Sequence, residues 1–174
     1  MKRILLFIIM VGIIIGTIIA IVSARESNKI KDVDARFVIN DEVIEDIVEG
    51  LWVDVCLKED EHKVIVREDN EIIKQMICSG GTKEEPTLLG TFKLENRGLW
   101  FYSERFKEGA TYWVRITEQY LFHGIPRDKD WNIIEEEQEK LGGPASHGCI
   151  RLSEEDAKWF YDNVPDGTTV IIHE

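Results

Sequence analysis

Basic residues are scarce in this chain. Lys and Arg number 21 against 33 Asp and Glu, and the formal net charge of the 174 residues is −12. Residues 1–24 carry two basic and no acidic side chains, which leaves 19 basic against 33 acidic residues in the remainder. A domain this acidic does not bind nucleic acid or an anionic membrane surface through its charge. Cysteine is also sparse. Cys56, Cys78 and Cys149 are the three present, and an odd number leaves at least one thiol unpaired. Cys56 and Cys78 fall in strand-like segments, where small buried apolar side chains are favoured over a Cys56–Cys78 bridge. The sequence has no internal repeat and no low-complexity tract.

Long apolar runs are missing except at the start. Met1-Lys2-Arg3 precedes a run from Ile4 to Val22 interrupted by Gly12, Gly16 and Thr17. That length matches the roughly 20 residues a helix needs to cross a bilayer, and the basic residues ahead of it favour a cytoplasmic N-terminus. Val22-Ser23-Ala24 also offers a signal-peptidase cut site, but the run exceeds a usual h-region. Residues 1–24 are therefore expected to be an uncleaved anchor, with the remainder outside the cytoplasm at the cell membrane.

Residues 25–50 are expected to form a juxtamembrane spacer and a short helix from Asn40, with Val43, Ile47 and Val48 on one face and Gly50 as its stop. Short alternating segments follow. Trp52–Leu57 and Lys63–Arg67 read as a hairpin joined by a turn over Lys58–His62. Glu71–Cys78, Gly90–Leu94, Leu99–Tyr102, Tyr112–Thr117 and Tyr120–Phe122 continue the strand pattern. One late helix is expected after Ser153, with Ala157, Phe160, Tyr161 and Val164 at helical spacing and Pro165 as its end; Thr168–Ile172 is a last strand. The sum is a mainly β fold with a minor α component, a curled mixed sandwich or barrel-like sheet with one helix on its C-terminal side. Pro126–Leu141 is too long and acidic for a hairpin turn. It reads equally as a lid or binding loop and as a solvated insertion.

Chemistry concentrates in Ser146-His147-Gly148-Cys149-Ile150-Arg151. A catalytic thiol needs a neighbouring base and backbone N–H groups aimed at a developing oxyanion. Gly148 allows a tight main-chain conformation beside Cys149. His147 and His123 are both available as the base, and the residue types alone do not choose between them. Arg151 could hold a substrate carboxylate, or pair with the acidic turn Glu154–Asp156. His62 and His173 are read as structural or exposed. A metal site built from His147, Cys149 and His123 is disfavoured, because His-Gly-Cys is not a familiar zinc spacing.

His123-Gly124 followed by Ser146-His147-Gly148-Cys149-Ile150-Arg151-Leu152 resembles the signature of the L,D-transpeptidase (YkuD-type) catalytic domain. The resemblance runs from about Leu51 to the C-terminus, through Ser79-Gly80-Gly81, Pro86–Phe92, Leu141–Ala145 and Asp166–Val170. Leu88 stands where the family has proline, and the 22 residues between His123 and Ser146 make an enlarged loop. The resemblance implies a catalytic domain over 51–174 acting on peptidoglycan stem peptides, with a donor tetrapeptide and an acceptor amine, and with no metal or organic cofactor. It implies Cys149 as nucleophile, His123 as general base and the Gly124 carbonyl orienting the imidazole. His147 would shape the oxyanion region, with the amides of Gly148 and Cys149 as donors. Ser146 and Arg151 would contact substrate or brace the loop. The implied reaction is 3→3 cross-linking with release of D-Ala. An L,D-carboxypeptidase and a non-catalytic wall-binding scaffold are the alternatives. A papain-like or NlpC-like hydrolase fits less well, because those chains place the cysteine before the histidine.

Overall fold

The computed structural model describes residues 49–69 and 71–174. The expected anchor, spacer and short helix lie outside the described residues, apart from the Gly50 stop. Among the described residues no helix is long and apolar enough to cross a membrane.

Alternation of apolar and polar residues drives the local structure. The strands are β1 (Leu51–Lys58), β2 (Glu61–Glu68), β3 (Glu71–Ser79), β4 (Gly90–Lys93), β5 (Arg97–Ser103), β6 (Glu108–Thr117), β7 (Tyr120–His123), β8 (Ile150–Leu152) and β9 (Thr169–His173). Helix α1 is Glu135–Glu139 and helix α2 is Glu154–Asn163. All nine strands form one sheet in the order β4-β9-β1-β2-β3-β8-β7-β6-β5. Two neighbour pairs, β1/β9 and β7/β8, are parallel, and the others are antiparallel.

Strand β3 joins the two halves. It pairs with β2 up to Ile77, then with β8 through Cys78↔Leu152 and Ser79↔Arg151. The sheet curls around a core of Val53, Val55, Val64, Val66 and Met76 from one half and Val114, Ile116, Phe122, Ile150 and Leu152 from the other. Helix α2 packs on β6 and β8, and Phe160 stacks on Phe122 with ring centroids 4.5 Å apart. Burying an aromatic or aliphatic side chain of this size contributes about 1.5–3 kcal/mol. Ser153 caps α2 by accepting the Asp156 N–H at 3.1 Å, and Pro165 follows its C-cap, Val164, as the sequence pattern predicts.

Several local expectations change. Among the described residues there are two helices rather than the one expected after Ser153, because α1 forms within the Pro126–Leu141 segment. Lys63–Arg67 extends to Glu61–Glu68, so His62 belongs to a strand and is buried rather than lying in a turn. Strand β8 is three residues long and leaves no periodic trace in the sequence. Cys56 and Cys78 are buried and unpaired, and Cys149 is a free thiol.

Candidate active site

Parallel pairing of β7 and β8 assembles the site. The register sets Phe122 beside Ile150 and His123 beside Arg151. Phe122 and Ile150 enter the core; alternation then turns His123, Cys149 and Arg151 to the other face, where all three line one cavity of about 630 Å³. Parallel strands need a crossover of a dozen or more residues. The 26 residues between His123 and Ile150 are that crossover, so the two motif halves are distant in sequence and adjacent in space.

The loop carrying Cys149 is held from below. Gly80 O accepts the N–H groups of Ala145 and Ser146 at 2.9 and 3.0 Å, and Ser146 O accepts the Thr82 N–H at 3.0 Å. Ser146 Oγ accepts the Gly148 N–H at 3.0 Å and donates to the Cys149 carbonyl at 2.5 Å. Ser146 therefore braces the loop. Gly148 has φ +105°, and a Cβ there would lie 2.5 Å from Tyr120 Cε1. Its amide, one of the two expected oxyanion donors, is engaged by Ser146 Oγ in this arrangement.

The two histidines differ sharply. His123 is buried, and its Nδ1 lies 2.7 Å from the Gly124 carbonyl. Donation from Nδ1 leaves Nε2 as the proton acceptor. Burial pushes its pKa down to about 4, the Gly124 carbonyl opposes that fall, and the Arg151 guanidinium adds to it. The ring is neutral near pH 7. Phe101 meets it edge-on at 5.6 Å. His147 is half-exposed at the cavity rim, with Nε2 3.4 Å from Glu85 and its ring stacked on Phe106 at 4.4 Å.

The Cys149 thiol donates to the Gln119 carbonyl at 3.6 Å. Burial pushes its pKa up and Glu108 adds to this, while the Leu121 N–H, Arg151 and Arg115 work against it. The resting pair is thus a thiol and a neutral imidazole, an arrangement suited to general-base activation at the moment of attack.

Arg151 is 3% exposed and pairs with Glu137 of α1 and, at 3.4 Å, with Glu108 of β6. It also donates to the Ala145 carbonyl at 3.0 Å. The alternative pairing with the Glu154–Asp156 turn is not made. Glu154 instead pairs with Arg127 at 3.1 Å and accepts from Thr111. Through Arg151 and through Ser79 Oγ, which donates to Lys140 O and accepts the Gly142 N–H, the crossover is pinned to the sheet. The segment between these anchors is largely solvent-exposed, and α1 buries no residue. Among the described residues no cluster of His, Cys, Asp or Glu is placed to hold a metal.

The L,D-transpeptidase catalytic domain (YkuD) profile matches residues 51–172. The chain belongs to this family. It is 47% identical over 128 residues to YciB of Bacillus subtilis (strain 168), a candidate L,D-transpeptidase by its own name, across 70% of this chain and 65% of that one. An L,D-transpeptidase structure from Mycobacterium smegmatis superimposes with a TM-score of 0.59 at 24% identity, over 72% of this chain and 60% of that one. An LD-transpeptidase in complex with imipenem gives a TM-score of 0.57 at 22% identity, over 72% of this chain and 59% of the other. The last two show the fold: a curled, mainly β half-barrel with two helices. The match spans less than two thirds of YciB, 65% of its length.

Sequence reasoning missed Glu108 and Tyr120, which line the cavity, and Glu137, which pairs with Arg151. Each reaches it only through strand pairing or the crossover, so local pattern carried no signal for them.

Proposed function

We propose that this family member is a peptidoglycan L,D-transpeptidase with Cys149 as its nucleophile and His123 as general base. The observation that carries the reading is the buried, neutral His123, oriented through Nδ1 by the Gly124 carbonyl and lining the same cavity as the Cys149 thiol. The carbonyl takes the orienting role that an aspartate fills in serine triads.

In the proposed reaction His123 Nε2 takes the thiol proton as Cys149 Sγ attacks the carbonyl of the L-centre of the diamino acid at stem position three. The Cys149 amide is a candidate donor to the oxyanion. Collapse expels D-Ala, whose amine receives the proton from the imidazolium, and a thioester remains. An amine of a neighbouring stem displaces the thiolate to give a 3→3 cross-link. Resolution by water would make the product that of an L,D-carboxypeptidase, and muropeptide product analysis separates the two. Retention of thiol, oriented base and braced loop argues against a wall-binding scaffold without activity. The apolar run Ile4–Val22 supports a single-pass anchor, with the domain on the wall side of the cell membrane.

The imipenem complex in the fold comparison suggests the probe. Intact-mass spectrometry after exposure to a carbapenem is expected to show one adduct on the wild type and none on Cys149→Ala. No adduct on the wild type, or equal adducts on both, would refute the proposal.

A further inference from the structure

His62 plays no part in the chemistry described so far, yet it sits beneath the loop that presents the thiol. We propose that His62 is a positioning residue for acylation of Cys149, acting through Gly80. This rests on the transpeptidase reading above.

The connection is a chain of hydrogen bonds between elements far apart in sequence. His62, on β2, is 7% exposed, and its Nδ1 accepts the Gly80 N–H at 3.1 Å. Gly80 O in turn holds the amides of both Ala145 and Ser146, and Ser146 Oγ closes the turn around Gly148 and Cys149. The neighbouring amide, that of Gly81, is held by Thr87 Oγ1 at 2.9 Å. A Cβ on Gly81 would lie 2.2 Å from the Glu85 carbonyl, so the 85–87 backbone packs directly against this segment. His62 and Thr87 are thus the two side chains that hold the amides of the Gly80–Gly81 shelf. Acceptance at Nδ1 requires the neutral ring with its proton on Nε2, and burial favours that form by lowering the His62 pKa.

Removing this acceptor leaves a buried N–H without a partner and frees the shelf to move. A displaced nucleophile loop slows a reaction that depends on aligned attack, by up to about 100-fold for an ångström-scale error. Simple alkylation of the thiol, which needs no oxyanion donor, is less affected.

The test compares carbapenem acylation and iodoacetamide alkylation of Cys149, both followed by intact mass, in the full chain. His62→Ala is expected to lower the acylation rate constant by about tenfold or more while alkylation changes less. His62→Asn, whose Oδ1 replaces the Nδ1 acceptor at similar reach, is expected to restore most of it. If the alanine variant fails to fold, His62→Gln takes its place, since its longer side chain misplaces the acceptor and must acylate more slowly than His62→Asn. Acylation of His62→Ala at the wild-type rate overturns the role, and so does His62→Asn as slow as the alanine or glutamine variant. A wild type that forms no adduct overturns the transpeptidase reading itself, and this role with it.

Discussion

Gly148→Ala puts the geometry of the nucleophile loop under the most direct strain. The residue has φ +105°, outside the range L side chains adopt readily, and an added Cβ would meet Tyr120 Cε1 at 2.5 Å, Tyr120 Cδ1 at 3.1 Å and the Pro86 carbonyl at 3.2 Å. Left-handed backbone at a non-glycine residue costs roughly 1–2 kcal/mol. Overpacking against a ring carried by β7 and a main-chain oxygen adds about 1–3 kcal/mol. Neither neighbour is the far end of a flexible side chain, so a total of about 2–5 kcal/mol must appear somewhere. If the fold absorbs it, the unfolding midpoint falls on the order of 10 °C. If the loop yields instead, stability survives, but the thiol leaves its alignment and carbapenem acylation drops by up to about 100-fold. Thermal or urea unfolding and acylation kinetics on the same preparation capture both routes. Gly143→Ala is the control: a Cβ there meets nothing within 4 Å, and its effect should stay within about 0.5 kcal/mol. Wild-type stability together with wild-type acylation in Gly148→Ala would refute the loop geometry described here.

Two further outcomes follow from the histidines. His123→Ala should lower the acylation rate by about 100-fold or more, the usual contribution of a positioned base, whereas His147→Ala should cost less than about tenfold because its ring is turned to the rim; similar losses in rapid-mixing acylation assays would contradict the assignment. Burial holds the His123 pKa at about 4 against an ordinary 6.5, so between those values the unfolded chain binds a proton that the folded chain refuses. The His123 contribution to stability is therefore full above about pH 6.5 and is lost as pH falls toward 4. In urea titrations the wild type should lose more stability than His123→Gln between about pH 7 and about pH 5; equal losses would show that the ring is not buried as a neutral group.

The strands and α2 were legible because their signals are local. Alternation in Trp52–Leu57 and Tyr112–Thr117, the Ser153 cap and the Pro165 stop each act within a few residues. Strand β8 was not, since Ile150–Leu152 is extended only because β3 and β7 flank it. Helix α1 also escaped notice. It buries no residue, Ile134 makes no side-chain cap, and the Glu137–Arg151 pair ties it to the sheet.

By itself the sequence determined the family, the thiol and the order of its histidines, since Ser-His-Gly-Cys and an upstream His-Gly are contiguous patterns that survive without coordinates. The surroundings of each group were left to tertiary structure. Parallel pairing of β7 with β8 sets His123, buried and with its Nδ1 on the adjacent Gly124 carbonyl, beside Arg151, while His147, only two residues from the thiol, faces Glu85 and Phe106. Strand β6 and the crossover helix seal Arg151 between Glu108 and Glu137, and the pairing of β2 with β3 sets His62 under Gly80. Burial, and with it protonation state and hydrogen-bond direction, depends on neighbours that lie tens of residues away along the chain.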